Sequence, residues 1–328
     1  MQLWRDLDEV PDVDDLGRTL VTIGNFDGVH RGHRAVVRHA REVAAEVGVD
    51  RVVAVTFDPH PFAVLRPDHA PVQLTTIEER AALLADAGVD DVLAVPFTKE
   101  LAGFSPERFV VEILVETLHA AAVVVGANFR FGKMAAGDVA TLVELGGEHG
   151  FLAEAVDLDG GPQVWSSTYI RTCLAAGDVS GAAEALGRPV TVTGPVQRGD
   201  QRGRDLGYPT ANVAATGAVP ADGVYAGWLH GVEDQPLPVA VSVGTNPTFD
   251  GERERRVEAY VLDRDDLELY DRVVTVELVE HVRGMVRFDG VDALLEAMAG
   301  DVARTRQVLG LAPGDSPADT TRTGQAPS

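Results

Sequence analysis

Two histidines three residues apart, His30 and His33, stand in a glycine-rich corner that reads Gly24-Asn25-Phe26-Asp27-Gly28-Val29-His30-Arg31-Gly32-His33. The apolar run Leu20 to Ile23 leads into it, and Arg34 to Val47 leaves it with Val36, Val37, Ala40, Val43, Ala44 and Val47 at helical spacing. A strand-to-helix turn of this kind aims backbone N–H groups at an anion. Both imidazoles can face that anion and stabilise charge on a reacting phosphate, which makes His30 and His33 catalytic candidates. Gly24, Asn25, Phe26 and Gly32 are read as the surrounding ATP- and phosphate-binding positions. No Gly-Lys-Ser/Thr ending is present, and the glycines at 24, 28 and 32 do not fit Gly-x-Gly-x-x-Gly. Neither the Walker A loop nor the dinucleotide fingerprint therefore applies. The plainer alternative is a surface turn with two solvated histidines.

Three further polar clusters each have the type of side chain that a phosphate needs. Asp58 and His60 follow the β-branched run Arg51 to Phe57, and Asn128 and Arg130 follow Ala121 to Gly126. In Ser166-Ser167-Thr168-Tyr169-Ile170-Arg171, Ser167 and Thr168 offer hydroxyls and Arg171 a guanidinium one turn inside a helix, a set suited to a polyphosphate. Alone, this last motif is an ordinary helix cap; its weight comes from the other three. The second half carries a separate dense stretch, Arg198-Gly199-Asp200-Gln201-Arg202-Gly203-Arg204 followed by Gly207-Tyr208-Pro209-Thr210-Ala211-Asn212. Gly203 and Arg204 belong to a cationic phosphate cover, Thr210 offers a hydroxyl to Mg²⁺, and Asn212 a neutral amide. Glu258, in the strand pattern Arg256 to Val261, can accept a proton from an attacking hydroxyl. From pattern alone it reads rather as a solvated strand residue.

The elements that must position these groups fall into two sets. Strand and helix alternate through the first half, with a capping box at Thr76 and Glu79, a strand over Asp91 to Pro96, and a helix opening at Ser105-Pro106. That alternation predicts an α/β domain with an open parallel, Rossmann-like sheet and ligands at its carboxyl edge, spanning 1–186. From 187 to 311 the runs Val190 to Val196, Gly223 to Val232, Leu237 to Val243, Val257 to Leu262 and Val273 to Val279 predict an antiparallel β-barrel. A terminal helix is expected near Val291 to Val308, and 312–328 should be a disordered tail.

Composition narrows the class. A net charge of −23 argues against a nucleic-acid surface, so any phosphate must be held by local chemistry. Lysine occurs only at Lys99 and Lys133. The single cysteine, Cys173, reads as a core residue in a reducing compartment, and neither an export signal nor a membrane-spanning run is visible. The expected location is cytoplasmic, with weak self-association as the only protein contact expected.

His-x-Gly-His after a first strand resembles the signature of the nucleotidyltransferase superfamily. With Arg-Gly-Arg-x-Leu-Gly-Tyr-Pro-Thr-Ala-Asn over Arg202 to Asn212, and with Gly223 to Ala226, Ser242 to Phe249 and Arg287-Phe288-Asp289, residues 15–310 resemble the bacterial bifunctional riboflavin kinase/FMN adenylyltransferase family. The resemblance implies two reactions. Riboflavin would be phosphorylated by ATP to FMN in the C-terminal barrel, with Glu258 as base, Thr210 on Mg²⁺ and Asn212 beside it. FMN would then be adenylylated to FAD in the N-terminal domain, with His30, His33, Asn128, Ser167, Thr168 and Arg171 on the phosphates. The flavin-binding positions it implies are Pro59, Phe62, Asn128, Tyr260, Arg283, Met285 and Phe288. Asp27 and Asp58 are left as turn residues. Ala127, Lys133-Met134, Asp271 and Val286 depart from the family pattern, which bears on loop contacts and flavin affinity more than on the chemistry. The rivals are an enzyme with one live site, a flavin carrier, and a pantetheine-phosphate or cytidylyl transferase.

Overall fold

The computed structural model describes residues 1–157, 165–199, 207–245 and 255–312, and the chain divides by packing into Met1–Ser167 and Thr168–Ser328. In the first unit six strands form one parallel sheet: β1 (Leu3–Trp4), β2 (Thr19–Ile23), β3 (Arg51–Asp58), β4 (Asp91–Pro96), β5 (Ala120–Gly126) and β6 (Leu152–Val156). Their order is β1-β4-β3-β2-β5-β6. From β2 the chain steps outward to β3 and β4, then returns to place β5 on the other flank of β2. The sheet therefore has its topological switch point between β2 and β5, and the crevice for a ligand lies outside their carboxyl ends.

Alternation along each strand sends side chains to two cores. Leu20, Val52, Ala54, Val92 and Val124 meet Val36, Val37, Ala40 and Leu84 from helices α2 (Arg31–Val47) and α4 (Ile77–Ala87). Val21, Ile23, Val53, Val55, Leu93 and Val123 meet Ile113, Leu114 and Leu142 on the opposite face. Both faces being covered explains why β2 is buried at every position. The capping box of α4 forms as its sequence predicts, with Thr76 and Glu79 each satisfying the other's backbone N–H. The helix expected from Ser105 is regular only over α5 (Pro106–Phe109) and continues as a π-helical segment to Thr117.

The second unit is a closed antiparallel barrel of β7 (Val190–Gln197), β8 (Thr210–Val213), β9 (Gly223–His230), β10 (Leu237–Thr245), β11 (Arg255–Val261) and β12 (Val273–Gly284), ordered β10-β11-β8-β7-β12-β9. A terminal helix, Val291–Val308, packs on β9, β10 and β12. Helices α7 (Ser167–Ala175) and α8 (Val179–Leu186) also lean on this unit: α8 packs on β7 and β12, and the Leu174 carbonyl accepts the Ala221 N–H. The division by packing falls between Ser167 and Thr168. Thr210 and Asn212 lie on β8, a strand not among the runs read from the sequence. The expected tail, but for Ala312, and the candidates Gly203 and Arg204 lie outside the described residues.

Candidate functional sites

At the carboxyl end of β2 the chain turns through Gly24 to Val29 into α2, which begins at Arg31 because His30 is its N-cap. His30 Nδ1 accepts the His33 backbone N–H at 3.4 Å, and the two rings stack with centroids 3.6 Å apart and planes 21° from parallel. Gly32 makes this possible, since a Cβ there would stand 3.1 Å from both Cε1 and Nδ1 of His30. The Phe26 ring meets the His33 edge at 5.1 Å and occupies the space a Cβ on Gly24 would need. Glycine at 24 and 32 thus serves ring packing. Asn25 is exposed at the mouth of the turn.

His33 is only part-exposed, and its Nδ1 is shielded with no hydrogen-bond partner among the described residues. An orphaned buried polar atom costs about 1–3 kcal/mol, and such atoms are expected where a ligand completes a site. Burial, then the neighbouring His30 and Arg80 charges, hold the His33 imidazole well below its ordinary pKa. At neutral pH it is therefore an uncharged ring.

The other N-terminal candidates separate by role. His60 caps α3 (Pro61–Leu65), accepting the Phe62 N–H at 3.2 Å, which leaves Phe62 47% exposed at the carboxyl edge beyond Pro59. Asn128, after β5, is exposed at the switch point. Arg130 is drawn away to Asp138, the cap of α6 (Val139–His149), at 3.0 Å. Ser167 donates its hydroxyl proton to the Asp27 carbonyl at 2.8 Å, so it anchors the histidine turn. Thr168 is exposed and Arg171 part-exposed in the first turns of α7, which open the second unit.

On the barrel, pairing register brings distant residues together. Glu258 on β11 lies directly opposite Asn212 on β8, and Tyr260 opposite Thr210. Val257, Ala259, Val261, Ala211 and Val213 are buried, so Thr210, Asn212, Glu258 and Tyr260 share the outward face. Side chains so paired are about 4.5–5.5 Å apart at Cβ. Ser242 continues the row beyond Glu258, and Gln197 beyond Asn212. Glu258 is thus one member of a polar row on that face. Tyr260 packs edge-on against Tyr208 at 5.1 Å, and burial raises its hydroxyl pKa.

Arg283 commits its guanidinium to the terminal helix, with Nε and one terminal nitrogen each 2.7 Å from the Asp301 carboxylate. Its plane lies 5.6 Å from the centre of the Phe288 ring, so it supports that ring more than it offers donors to a ligand. Met285 is 53% exposed beside Gly244.

Comparison with known proteins bears on both sites. Residues 13–168 match the family model described as FAD synthetase, and 186–309 the one described as riboflavin kinase. Curated proteins named bifunctional riboflavin kinase/FMN adenylyltransferase are 37% identical in Escherichia coli K12, covering 89% of this chain and 93% of that protein, and 39% identical in Pseudomonas fluorescens, covering 88% and 92%. The chain belongs to the bifunctional riboflavin kinase/FMN adenylyltransferase family. A Listeria monocytogenes member is 34% identical over 92% of this chain and 93% of its own length. A solved structure described as a macrolide-efflux protein from Streptococcus pneumoniae superposes with a TM-score of 0.82 at 28% identity, covering 93% of this chain and 98% of that one. Among the described residues no helix is long and apolar enough to cross a membrane.

Sequence reasoning missed Arg80, Thr75, Ser242 and Gln197 as supports of these sites. Arg80 did leave a signal. Ile77, Ala81 and Leu84 form the buried stripe of α4, and Arg80 falls on it, three residues after Ile77 and four before Leu84. A charge on an apolar stripe requires a buried partner.

Proposed function

We propose that the chain makes FAD from riboflavin in two steps, one in each unit. The supporting observation is that each unit carries its own polar constellation: His30 stacked on His33 at the switch point, and Glu258 opposite Asn212 on the barrel. In the first step the riboflavin 5′-hydroxyl oxygen forms a bond to the γ-phosphorus of ATP. The bond from that phosphorus to the β,γ-bridging oxygen breaks, ADP leaves, and Glu258 takes the hydroxyl proton. In the second step a phosphate oxygen of FMN attacks the α-phosphorus of another ATP and pyrophosphate leaves. That nucleophile is already an anion, so no protein base is needed. His30 and His33, with Gly24, Asn25, Phe26 and Gly32 shaping the turn, stabilise the charge developing on the transferred group. Asn128, Thr168 and Arg171 hold substrate phosphates, while Ser167 positions the turn.

For Mg²⁺ the donor chemistry fits. The Thr210 hydroxyl and the Asn212 amide oxygen are hard donors, and both lie on the outward face of β8. Thr210 and substrate phosphates would hold the ion, which supplies charge neutralisation at the transferred phosphoryl group. Pro59, Phe62 and Asn128 are assigned to the flavin of the first unit, and Tyr260, Met285 and Phe288, braced by Arg283, to that of the second. The adenylyltransferase domain is taken as 1–186 and the kinase domain as 187–311. A cytoplasmic location is part of the same reading, supported by ATP as co-substrate. The test is separation of activities. His33→Ala should lose FAD formation and keep FMN formation; Glu258→Ala should lose FMN formation yet convert supplied FMN. Equal loss of both activities in a folded variant contradicts the two-site assignment.

A further inference from the structure

The turn that carries the two histidines is strained and is held from behind by a buried ion pair. Phe26 and Val29 adopt left-handed backbone, with φ of 48° and 38°, and neither is glycine. A β-branched residue there persists only when its surroundings over-determine it. Arg80 of α4 is 1% exposed. Its guanidinium donates to the Thr56 hydroxyl at 3.2 Å and the Thr75 carbonyl at 3.4 Å, and lies 3.6 Å from the Asp27 carboxylate. Thr56 in turn donates to the Asn25 carbonyl at 3.0 Å. Asp27 accepts the Leu74 N–H at 2.9 Å and the Thr75 N–H and hydroxyl at 3.2 Å, and the Gly28 N–H reaches the Thr75 hydroxyl at 3.2 Å. One cation therefore grips the turn at Asn25 through Thr56 and at Asp27 directly.

We propose that Arg80 is a positioning residue for adenylyl transfer: through Thr56 and Asp27 it fixes the Asn25–Val29 turn and with it the placement of His30 and His33. It does so without touching substrate, being buried beneath the turn. The inference rests on the two-step reading above. Its electrostatic trace is at His33, where the Arg80 charge is the third contribution that depresses the imidazole, after burial and His30. The charged and titratable groups bearing on His33 are His30 beside it and Arg80, whose own carboxylate partner is Asp27.

The test uses the full chain with two variants, each read by FAD formation from FMN, FMN formation from riboflavin, and a proton NMR titration of the His33 ring assigned with His33→Asn. Arg80→Gln is expected to lower kcat for FAD formation at least about tenfold, because displacing a positioned group by an ångström costs on the order of 100-fold. It should also raise the His33 midpoint and leave FMN formation unchanged. Arg80→Lys keeps the buried charge that the folded unit requires but loses the fork to Thr56 and Thr75. It should leave the midpoint near wild type and lower kcat severalfold. Wild-type kcat in Arg80→Lys overturns the proposal even if Arg80→Gln fails to fold, and an unmoved His33 midpoint in folded Arg80→Gln overturns it separately. Absence of FAD formation by the wild-type chain would instead sink the two-step reading.

Discussion

Replacing Gly32 by alanine sets two local effects against each other, and the structure gives the size of both. Gly32 lies in the first turn of α2, and glycine in a helix costs about 0.5–1 kcal/mol relative to alanine, so the substitution by itself favours the helix. The new Cβ would stand 3.1 Å from two atoms of the His30 ring, tighter than ordinary contact. The ring has little room to yield, because it is buried, stacked on His33 at 3.6 Å, and accepts the His33 N–H. Moving it gives up the N-cap, worth about 1 kcal/mol. The two effects nearly cancel, so the melting temperature should move by no more than a few degrees. Function should not be spared: a shift of the His30–His33 pair approaching an ångström lowers FAD formation on the order of 100-fold. The assay is chromatographic separation of FMN and FAD after incubation with ATP, alongside riboflavin phosphorylation by the same preparation. Gly32→Ala that makes FAD at the wild-type rate would refute the reasoning, as would loss of both activities together.

Three further outcomes are expected. A Cβ on Gly199 would overlap the Asn212 amide, so Gly199→Ala should push that side chain out of the row with Glu258 and cut FMN formation about tenfold or more while FAD formation from FMN continues. Asp301→Ala strands the Arg283 guanidinium; because Arg283 is part-exposed, the loss should be about 1–2 kcal/mol rather than the 3–5 of a fully buried pair, visible as a lower denaturation midpoint of the barrel. His33 is neutral in the fold but takes a proton in the unfolded chain below about pH 6.5, so below that pH the unfolded state binds the extra proton. Denaturant titrations should therefore show stability present above pH 6.5 and falling by at most about 1.4 kcal/mol per unit as the pH drops, a slope that His33→Asn should reduce.

Local patterns carried much of the architecture, and their failures have physical causes. The strand runs at Thr19 to Ile23 and Arg51 to Phe57 and the box at Thr76 and Glu79 form where β-branching and capping chemistry place them. α2 starts three residues before the expected Arg34 because a histidine serves as its cap, a role usually filled by Ser, Thr, Asp or Asn. β1 has only two residues, and β6, Leu-Ala-Glu-Ala-Val, has little β-branching, so both sheet edges were silent in the sequence. β8 spans only four residues after a glycine- and arginine-rich stretch, too short a run to stand out. The facing of Glu258 and Asn212 was hidden as well, because it is a matter of register between strands far apart in sequence. The histidine turn was legible in its residue types, but its support by Arg80 was not. The partner of a buried charge is fixed by tertiary packing.

The most direct test of the two-step account is a time course of the purified chain with riboflavin, ATP and Mg²⁺, resolving riboflavin, FMN and FAD by chromatography. The account predicts that FMN rises first and then declines as FAD accumulates. FMN that accumulates without FAD would contradict the assignment of the His30–His33 site, and unchanged riboflavin would contradict the assignment of the barrel.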